Sequence, residues 1–285
     1  MRIIKPVISL IRHDNMITII FAPPGYGKTS LMTYFLNEMA YNRKRNRCMA
    51  KEIANKNANG FNLGLPQHCV SANYDLTFKK FRYSPRFNRK INPYRLGFAN
   101  EFVKTHFNLP FECIGITEAQ KYLNSRMSMY FPTWQSRWYE QHRHNDLDIY
   151  LDTQRPMLID VNIRELATFI EIVAMHISYG KFGKVEKIVW KIRRIENSSL
   201  FDRYMASGKQ DKSCYTEDKI IANYNVFECY DSQSCKPKFY DGHFEEDFDY
   251  SVSKPKEDTM DGYIKYLLEN DDELPENFYT RRKAS

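Results

Sequence analysis

The chain contains no Cys-x-x-Cys pair. Its six cysteines, Cys48, Cys69, Cys113, Cys214, Cys229 and Cys235, are scattered, which excludes a disulfide scaffold or a zinc ribbon and leaves free thiols as the simplest reading. A metal site drawn from Cys214, Cys229 and Cys235 would match no known ligand spacing. The chain also lacks a membrane-spanning run: the longest apolar stretch, Leu166 to Ile177, is interrupted by Glu171 and His176 and falls short of the ~20 residues a bilayer requires. No leader is evident, because Arg2 and Lys5 are followed by Pro6, Arg12, His13 and Asp14 rather than by a sustained apolar region. Internal repeats are absent too. These absences predict a cytoplasmic protein with no transmembrane segment, associating with membranes only through partners.

What is present suits a globular protein. At 285 residues, 42% hydrophobic and 15% aromatic, the chain can build one α/β domain and a smaller appendage. Its net charge of +7 is unevenly spread, since residues 236–285 hold eight Lys/Arg against thirteen Asp/Glu and the rest carries +12. We therefore expect a body over residues 1–235 and an acidic, partly flexible C-terminal tail over 236–285, with a short amphipathic helix at Gly262–Leu268. Basic residues concentrate at Arg43, Lys44, Arg45, Arg47 and Lys51. A second cluster, Lys79, Lys80, Arg82, Arg86, Arg89, Lys90 and Arg95, interleaves with Phe78, Phe81, Tyr83, Phe87 and Tyr94. Such interleaving suits a nucleic-acid groove, where cations meet phosphates and rings stack on bases, and segment 79–95 is the candidate DNA contact. It equally suits a solvated basic surface with its rings turned inward.

The most specific feature is the segment Ala22-Pro23-Pro24-Gly25-Tyr26-Gly27-Lys28-Thr29-Ser30, directly after the apolar run Ile17-Thr18-Ile19-Ile20-Phe21. A buried strand that stops in a Gly-containing turn and opens a helix places backbone amides and a helix N-terminus against a phosphate. Leu31, Met32, Phe35, Leu36 and Met39 continue at helical spacing. Residues 22–30 are thus the expected nucleotide-binding loop, with ATP and Mg²⁺ as cofactors. Lys28 is placed to reach the β- and γ-phosphates and the Thr29 hydroxyl to ligate Mg²⁺. Ala22 replaces the usual first glycine with another small residue.

Residues 28–41 read as the helix of this motif and Asn42–Gly64, rich in Asn, Lys and Arg, as an excursion without regular structure. Strands are expected at His68–Ala72, Phe111–Ile116 and Leu147–Thr153. Asp160 reads as the N-cap of a helix from Val161 to about Tyr179, and Lys187–Ile195 and Tyr224–Tyr230 have strand character. Strands alternating with helices imply an α/β fold, a RecA-like P-loop NTPase with a mainly parallel sheet flanked by helices and its ligand site at the carboxyl ends of the strands.

A phosphate-loop enzyme needs a carboxylate at the end of a second strand. Glu118 follows Ile114-Gly115-Ile116-Thr117 and is the expected water-activating base, holding Mg²⁺ through water. Thr117 stands where an Asp would be usual, and Asp152 is the nearest acidic residue at another strand end. Glu118 would also suit a plain helix cap. Gln154, at the next strand end, is the expected sensor of γ-phosphate or water. Arg143 and then Arg155 are the leading candidates for an arginine that reaches a neighbouring subunit's γ-phosphate.

With these residues in view, the chain resembles the zonular occludens toxin (Zot) domain family, which includes the assembly ATPases of filamentous phages and belongs to the FtsK/HerA branch of P-loop ATPases. The likeness covers about residues 1–235. It rests on the loop Ala22–Thr29, the step Val70-Ser71-Ala72-Asn73-Tyr74, and Ile116-Thr117-Glu118-Ala119-Gln120 with Asn124-Ser125-Arg126. It rests further on the succession His142-Arg143-His144-Asn145-Asp146-Leu147-Asp148-Ile149, Thr153-Gln154-Arg155-Pro156 and Ile159-Asp160-Val161-Asn162-Ile163-Arg164, and on Tyr230-Asp231-Ser232. The resemblance implies an ATP-hydrolysing motor of phage morphogenesis, assembling or extruding a DNA virion. It also implies a homo-oligomeric ring, with a hexamer as the candidate size, and virion or host assembly proteins as partners. The chain departs from the filamentous-phage members in lacking their membrane-crossing helix and in carrying Thr117. A DNA-packaging translocase and a nucleotide-dependent scaffold with little turnover are the alternatives. A small-molecule kinase is disfavoured, since no lid or acceptor-binding pattern is visible.

Overall fold

The computed structural model describes residues 16–40, 42–58, 70–76, 89–91, 93, 96, 99–100, 105–106, 112–126, 133–230, 239–240 and 243–244. In chain order the longer elements begin with β1 (Ile17–Phe21), α1 (Lys28–Ala40), α2 (Arg43–Ala58) and β2 (Val70–Ala72). Then come the two-residue strands β3 (Arg89–Lys90), β4 (Ala99–Asn100) and β5 (Thr105–His106), followed by β6 (Cys113–Ile116), α3 (Thr133–Glu140) and β7 (Asp148–Thr153). The chain continues with α4 (Val161–Glu165), β8 (Ala167–Tyr179), β9 (Val185–Ile195), α5 (Ser198–Ala206), β10 (Thr216–Ala222), β11 (Phe239–Tyr240) and β12 (His243–Phe244).

Eight of these strands form one sheet in the order β10-β9-β8-β1-β7-β6-β2-β3. Every pairing from β8 through β1, β7, β6 and β2 to β3 is parallel, whereas β8–β9 and β9–β10 are antiparallel. The fold is therefore α/β with a mainly parallel sheet, as the alternation of motifs predicts. β1 lies at the centre with all five residues buried, the condition for a strand covered on both faces. Its alternate side chains feed two cores. Ile17, Ile19 and Phe21 pack with Trp138 and Tyr139 of α3, Ile163 of α4 and Phe201 and Tyr204 of α5. Ile20 packs on the other face with Leu31, Met32, Phe35 and Leu36 of α1 and with Trp190. Helices thus cover both faces. Because β2, β6, β7 and β1 run in one direction, the segments that follow them share one edge of the sheet.

Three expectations are corrected. Within segment 42–64, residues 43–58 form α2, whose start is fixed by the Asn42 side chain accepting a hydrogen bond from the Arg45 amide at 3.1 Å. Its Arg, Lys, Ala and Met residues are good helix formers, and that preference outweighs the Asn content. The helix read from Val161 to Tyr179 stops at Glu165. Asp160 does cap it, accepting from the Asn162 amide at 2.9 Å, but Ala167–Tyr179 is a thirteen-residue strand. Thr168, Ile170, Ile172, Val173 and Ile177 are β-branched and favour strand, and full burial from Phe169 to Ile172 hides the two-residue alternation that would have announced it. Finally, Tyr224–Tyr230 is a turn with a short 3₁₀ segment, initiated by the Asn225 side chain accepting from the Phe227 amide, and the strand lies earlier at Thr216–Ala222. The strand at Lys187–Ile195 is observed as β9.

Of the basic and aromatic segment 79–95, residues 79–88, 92, 94 and 95 lie outside the described residues, as does the Gly262–Leu268 helix. Cys48, Cys113, Cys214 and Cys229 are free thiols. Among the described residues no helix is long and apolar enough to cross a membrane.

At the amino-terminal edge of the sheet, Arg45 of α2 is buried against Asp148, its guanidinium bonding the Asp148 carboxylate and the Glu112 and Asp146 carbonyls. Removing only the cation would leave a buried carboxylate unpaired, which typically costs about 3–5 kcal/mol. Arg45→Met should lower the urea unfolding free energy by about that amount. The double variant Arg45→Met/Asp148→Leu should recover most of the loss, because the orphaned charge is removed with its partner.

Candidate nucleotide site

The phosphate-loop segment leaves β1 at the shared carboxyl edge. Gly25 and Gly27 adopt φ of +82° and +76°, the left-handed region open to glycine at little cost. A left-handed residue on either side of Tyr26 is the alternation that makes a concave array of amides in anion-binding loops. Gly27 has a second constraint: an added Cβ would meet Met175 Sδ at 2.4 Å, Ser30 Oγ at 2.8 Å and Trp190 Nε1 at 3.1 Å. The loop therefore rests directly on β8 and β9. Pro23–Tyr26 are exposed, while Lys28 is buried and opens α1. The Ser30 hydroxyl donates to the Gly27 carbonyl at 2.8 Å and the Leu31 amide donates to the same oxygen at 2.9 Å, locking the turn into the helix. The first turn of α1 carries no acidic side chain of its own, which leaves the positive end of its dipole suited to an anion.

The centre of the site is Asp152, fully buried in β7 one strand over from the loop. Its carboxylate accepts from the Thr29 hydroxyl at 2.7 Å, the Thr117 hydroxyl at 2.9 Å and the Glu118 amide at 2.9 Å. Burial raises its pKa. The hydrogen bonds from Glu118, Thr29 and Thr117 and the Lys28 charge act in the opposite direction. The place beside Thr29 that the absent Asp at 117 left open is thus filled from the next strand. Thr117 becomes a donor to that carboxylate. The β6 end is itself held by Asn73, whose side-chain oxygen accepts the Thr117 amide at 2.8 Å and whose amide donates to the Thr117 carbonyl at 3.2 Å. Tyr74 completes the step, its hydroxyl 3.0 Å from that of Thr33 in α1.

Glu118 points elsewhere. Its backbone is left-handed at φ 52°, an uncommon conformation for a residue with a side chain, and its carboxylate makes no cap to the 3₁₀ segment Ala119–Lys121. A plain capping role is excluded. The carboxylate instead accepts from the Gln120 side chain and, at 3.5 Å, from that of Gln154. Gln154 and Arg155 are both exposed at the carboxyl end of β7. Arg143 lies in the 3₁₀ segment His142–Asn145 that precedes β7, and is therefore at the opposite edge of the sheet from Lys28. The strand between them is six residues, roughly 20 Å. Tyr230 lies close enough to interact with Asp152 and Ser30. Its hydroxyl is pushed up to about 12 by burial and then by the Asp152 charge, against a hydrogen bond with Ser30.

Sequence reasoning brings together the loop, Thr29, Thr117, Glu118 and Gln154 at one edge. It underrates Asp152, whose signal is a carboxylate in an otherwise apolar central strand, and it does not separate Arg143 from Arg155 by edge. Among the described residues no group of three His, Cys, Asp or Glu side chains could hold a metal ion. The oxygens of Thr29 and Asp152 do fit a hard divalent cation that takes its remaining ligands from phosphate and water.

No family model and no curated protein matches the chain. Its structural neighbours include the N-terminal domain of zonular occludens toxin from Neisseria meningitidis, at 20% identity over 76% of this chain and 98% of that one with a TM-score of 0.43. They also include the genome packaging NTPase B204 from Sulfolobus turreted icosahedral virus 2 in complex with ATP-gammaS, at 10% identity over 66% of this chain and 95% of that one, TM-score 0.33. The DNA-packaging ATPase B204 from Sulfolobus Turreted Icosahedral Virus is similar over the same shares, with a TM-score of 0.35.

The raised pKa of Asp152 has a definite sign in stability. The folded state binds this proton more tightly than the unfolded chain, so the stabilising contribution is present below the ordinary carboxylate range and is lost as pH rises through the folded-state value. Asp152→Asn should abolish this component, so that the thermal midpoint of the variant changes less with pH than that of wild type across the carboxylate range. A variant equally dependent on pH would show that Asp152 titrates normally.

Proposed function

We propose that the chain is an ATP-hydrolysing P-loop motor of the Zot type that acts on DNA in phage morphogenesis. The observation that carries the reading is the Thr29–Asp152–Thr117 cluster with the Glu118–Gln154 pair beside it at the mouth of the phosphate loop. Lys28 holds the β- and γ-phosphates, and the loop amides and the α1 N-terminus neutralise them further. Thr29, oriented by Asp152, would ligate Mg²⁺, which when bound would supply neutralisation of phosphate charge. Glu118 takes the proton of the attacking water as the new bond to the γ-phosphorus forms, and ADP leaves with the electrons of the broken bond. Gln154 steers the Glu118 carboxylate, so that the base responds to whatever occupies the end of β7. The DNA-directed part of the reading is supported by the sequence resemblance and by the +12 charge of residues 1–235.

Lys28→Ala is expected to lower turnover by about two orders of magnitude or more while leaving the fold intact, since Asp152 keeps its three hydrogen-bond donors. Glu118→Gln should keep ATP binding and slow hydrolysis, trapping the bound state. Wild-type hydrolysis by the Glu118 variant would remove it as the base. Turnover measured with and without single- and double-stranded DNA separates the classes, because DNA stimulates a motor and a scaffold shows no turnover.

Arg143 lies at the opposite edge of the sheet from Lys28, so a catalytic role for it would be in a neighbouring subunit's site, as in a ring. Mixing Arg143→Ala with Lys28→Ala subunits should restore part of the activity through interfaces that keep both groups. If complexes shown to contain both subunits are no more active than either variant, Arg143 is not the trans-acting group and Arg155, at the nucleotide edge, takes its place.

A further inference from the structure

The antiparallel pair β8–β9 extends well past the sheet that supports it. β1 pairs only with Ala167–Glu171 of β8, and β10 only with Ile188–Arg194 of β9. From Ser178 through Lys187 neither outer flank pairs with another strand among the described residues, leaving a two-stranded arm. Such a ribbon has little stability of its own and depends on its base. That base is the floor of the nucleotide site, because Met175 and Trp190 lie directly against Gly27. The arm therefore leaves the sheet at the edge that carries the phosphate loop.

Its tip is built against ordinary stability. The turn is closed by the Gly180 amide donating to the Lys184 carbonyl at 2.8 Å, and it places Phe182 at φ 63° before Gly183 at φ 69°. Glycine or asparagine would be favoured there, whereas a bulky ring in this region is an outlier. The ring is also 97% exposed and that of Tyr179 is 63% exposed, so neither gains from burial. A residue that is unfavourable both for the backbone and for solvation is best explained by something it touches outside the fold. The surrounding charge says what. Lys181, Lys184 and Lys187 are all exposed, and none of them makes an ion pair among the described residues. The one nearby carboxylate, Glu186, lies against Gly180.

We propose that this arm is a nucleic-acid contact, with Phe182 against a base and Lys181, Lys184 and Lys187 on the flanking phosphates. Spaced cations around an exposed ring are complementary to a strand that offers phosphates and π-faces together. The contact is separate in sequence from segment 79–95. It deepens the reading of the chain as a DNA-directed ATPase and rests on that reading for the identity of the polymer. Its position over Met175 and Trp190 gives the nucleotide loop a direct mechanical path to the bound strand.

The test is fluorescence anisotropy of the full chain with a labelled oligothymidylate and with a duplex of equal length, across a salt series. Phe182→Ala should weaken binding to the single strand by about 5- to 150-fold, while Phe182→Trp keeps it. A loss confined to the single strand identifies stacking on an open base, and a loss shared with the duplex identifies wedging between base pairs. Either supports the contact. Lys181→Ala/Lys184→Ala should lower the log–log salt slope by about 1.4 on the single strand. Basal ATPase should be unchanged in every variant, and Phe182→Gly should be at least as heat-stable as wild type, which separates lost binding from lost folding. Wild-type binding with unaltered affinity in Phe182→Ala and an unaltered slope in the lysine pair would overturn the proposal alone. A wild-type chain that binds neither DNA would overturn it together with the DNA-directed reading. Binding to vesicles of anionic lipid instead, lost in Phe182→Ala, would assign the arm to a membrane surface and also overturn it.

Discussion

One buried carboxylate joins the three strands that make the site. Asp152 sits in β7, between β1 and β6, and binds the first turn of α1 through Thr29 and the end of β6 through Thr117 and the Glu118 amide. Burying a charge this completely is costly unless it is neutralised or fully hydrogen-bonded, and here three donors and the nearby Lys28 charge supply the compensation. The relative placement of loop, helix and second strand end is therefore tied to satisfying one group. Asn73 extends the same logic sideways by bonding both backbone groups of Thr117, so β2, β6, β7 and β1 are registered at their carboxyl ends by side chains as well as by the sheet ladder.

This arrangement explains which parts of the site were legible in the sequence. The phosphate loop is local: strand, turn and helix follow one another within fifteen residues, and the required glycines are written in order. Glu118 and Gln154 could be placed at strand ends because each follows an apolar run. The Asp152 contact could not be read that way, because it joins residues 123 and 35 positions apart and depends on β7 lying beside β1. Thr117 looked like a missing metal-side carboxylate only while each strand was considered alone. With the sheet order known, Thr117 is a donor and the carboxylate comes from the adjacent strand.

The misread elements fail for a related reason. Ala167–Tyr179 carries apolar residues at positions that satisfy helical spacing, and its β-branched residues together with its position beside β1 make it a strand. α2 is obscured in the sequence because its polar composition hides a buried arginine, Arg45, whose partners lie about a hundred residues away. In both cases tertiary context overrode a weak local pattern. The likeness of Arg143 and Arg155 as candidate fingers had the same origin. They are twelve residues apart in sequence and at opposite edges of a parallel strand, which only the pairing direction distinguishes.

The loop has neighbours on two sides, and they differ in kind. Toward β7 it meets Asp152, a rigid, fully bonded group. Toward β8 and β9 it meets Met175 and Trp190, where Gly27 leaves no room even for a methyl group. The thioether is adaptable, while the indole nitrogen of Trp190 has no hydrogen-bond partner in the structure. A displacement of Gly27 must therefore be absorbed on the β8–β9 side, since the Asp152 side would have to surrender hydrogen bonds to a buried charge. The softer contact continues into the arm that ends at Phe182.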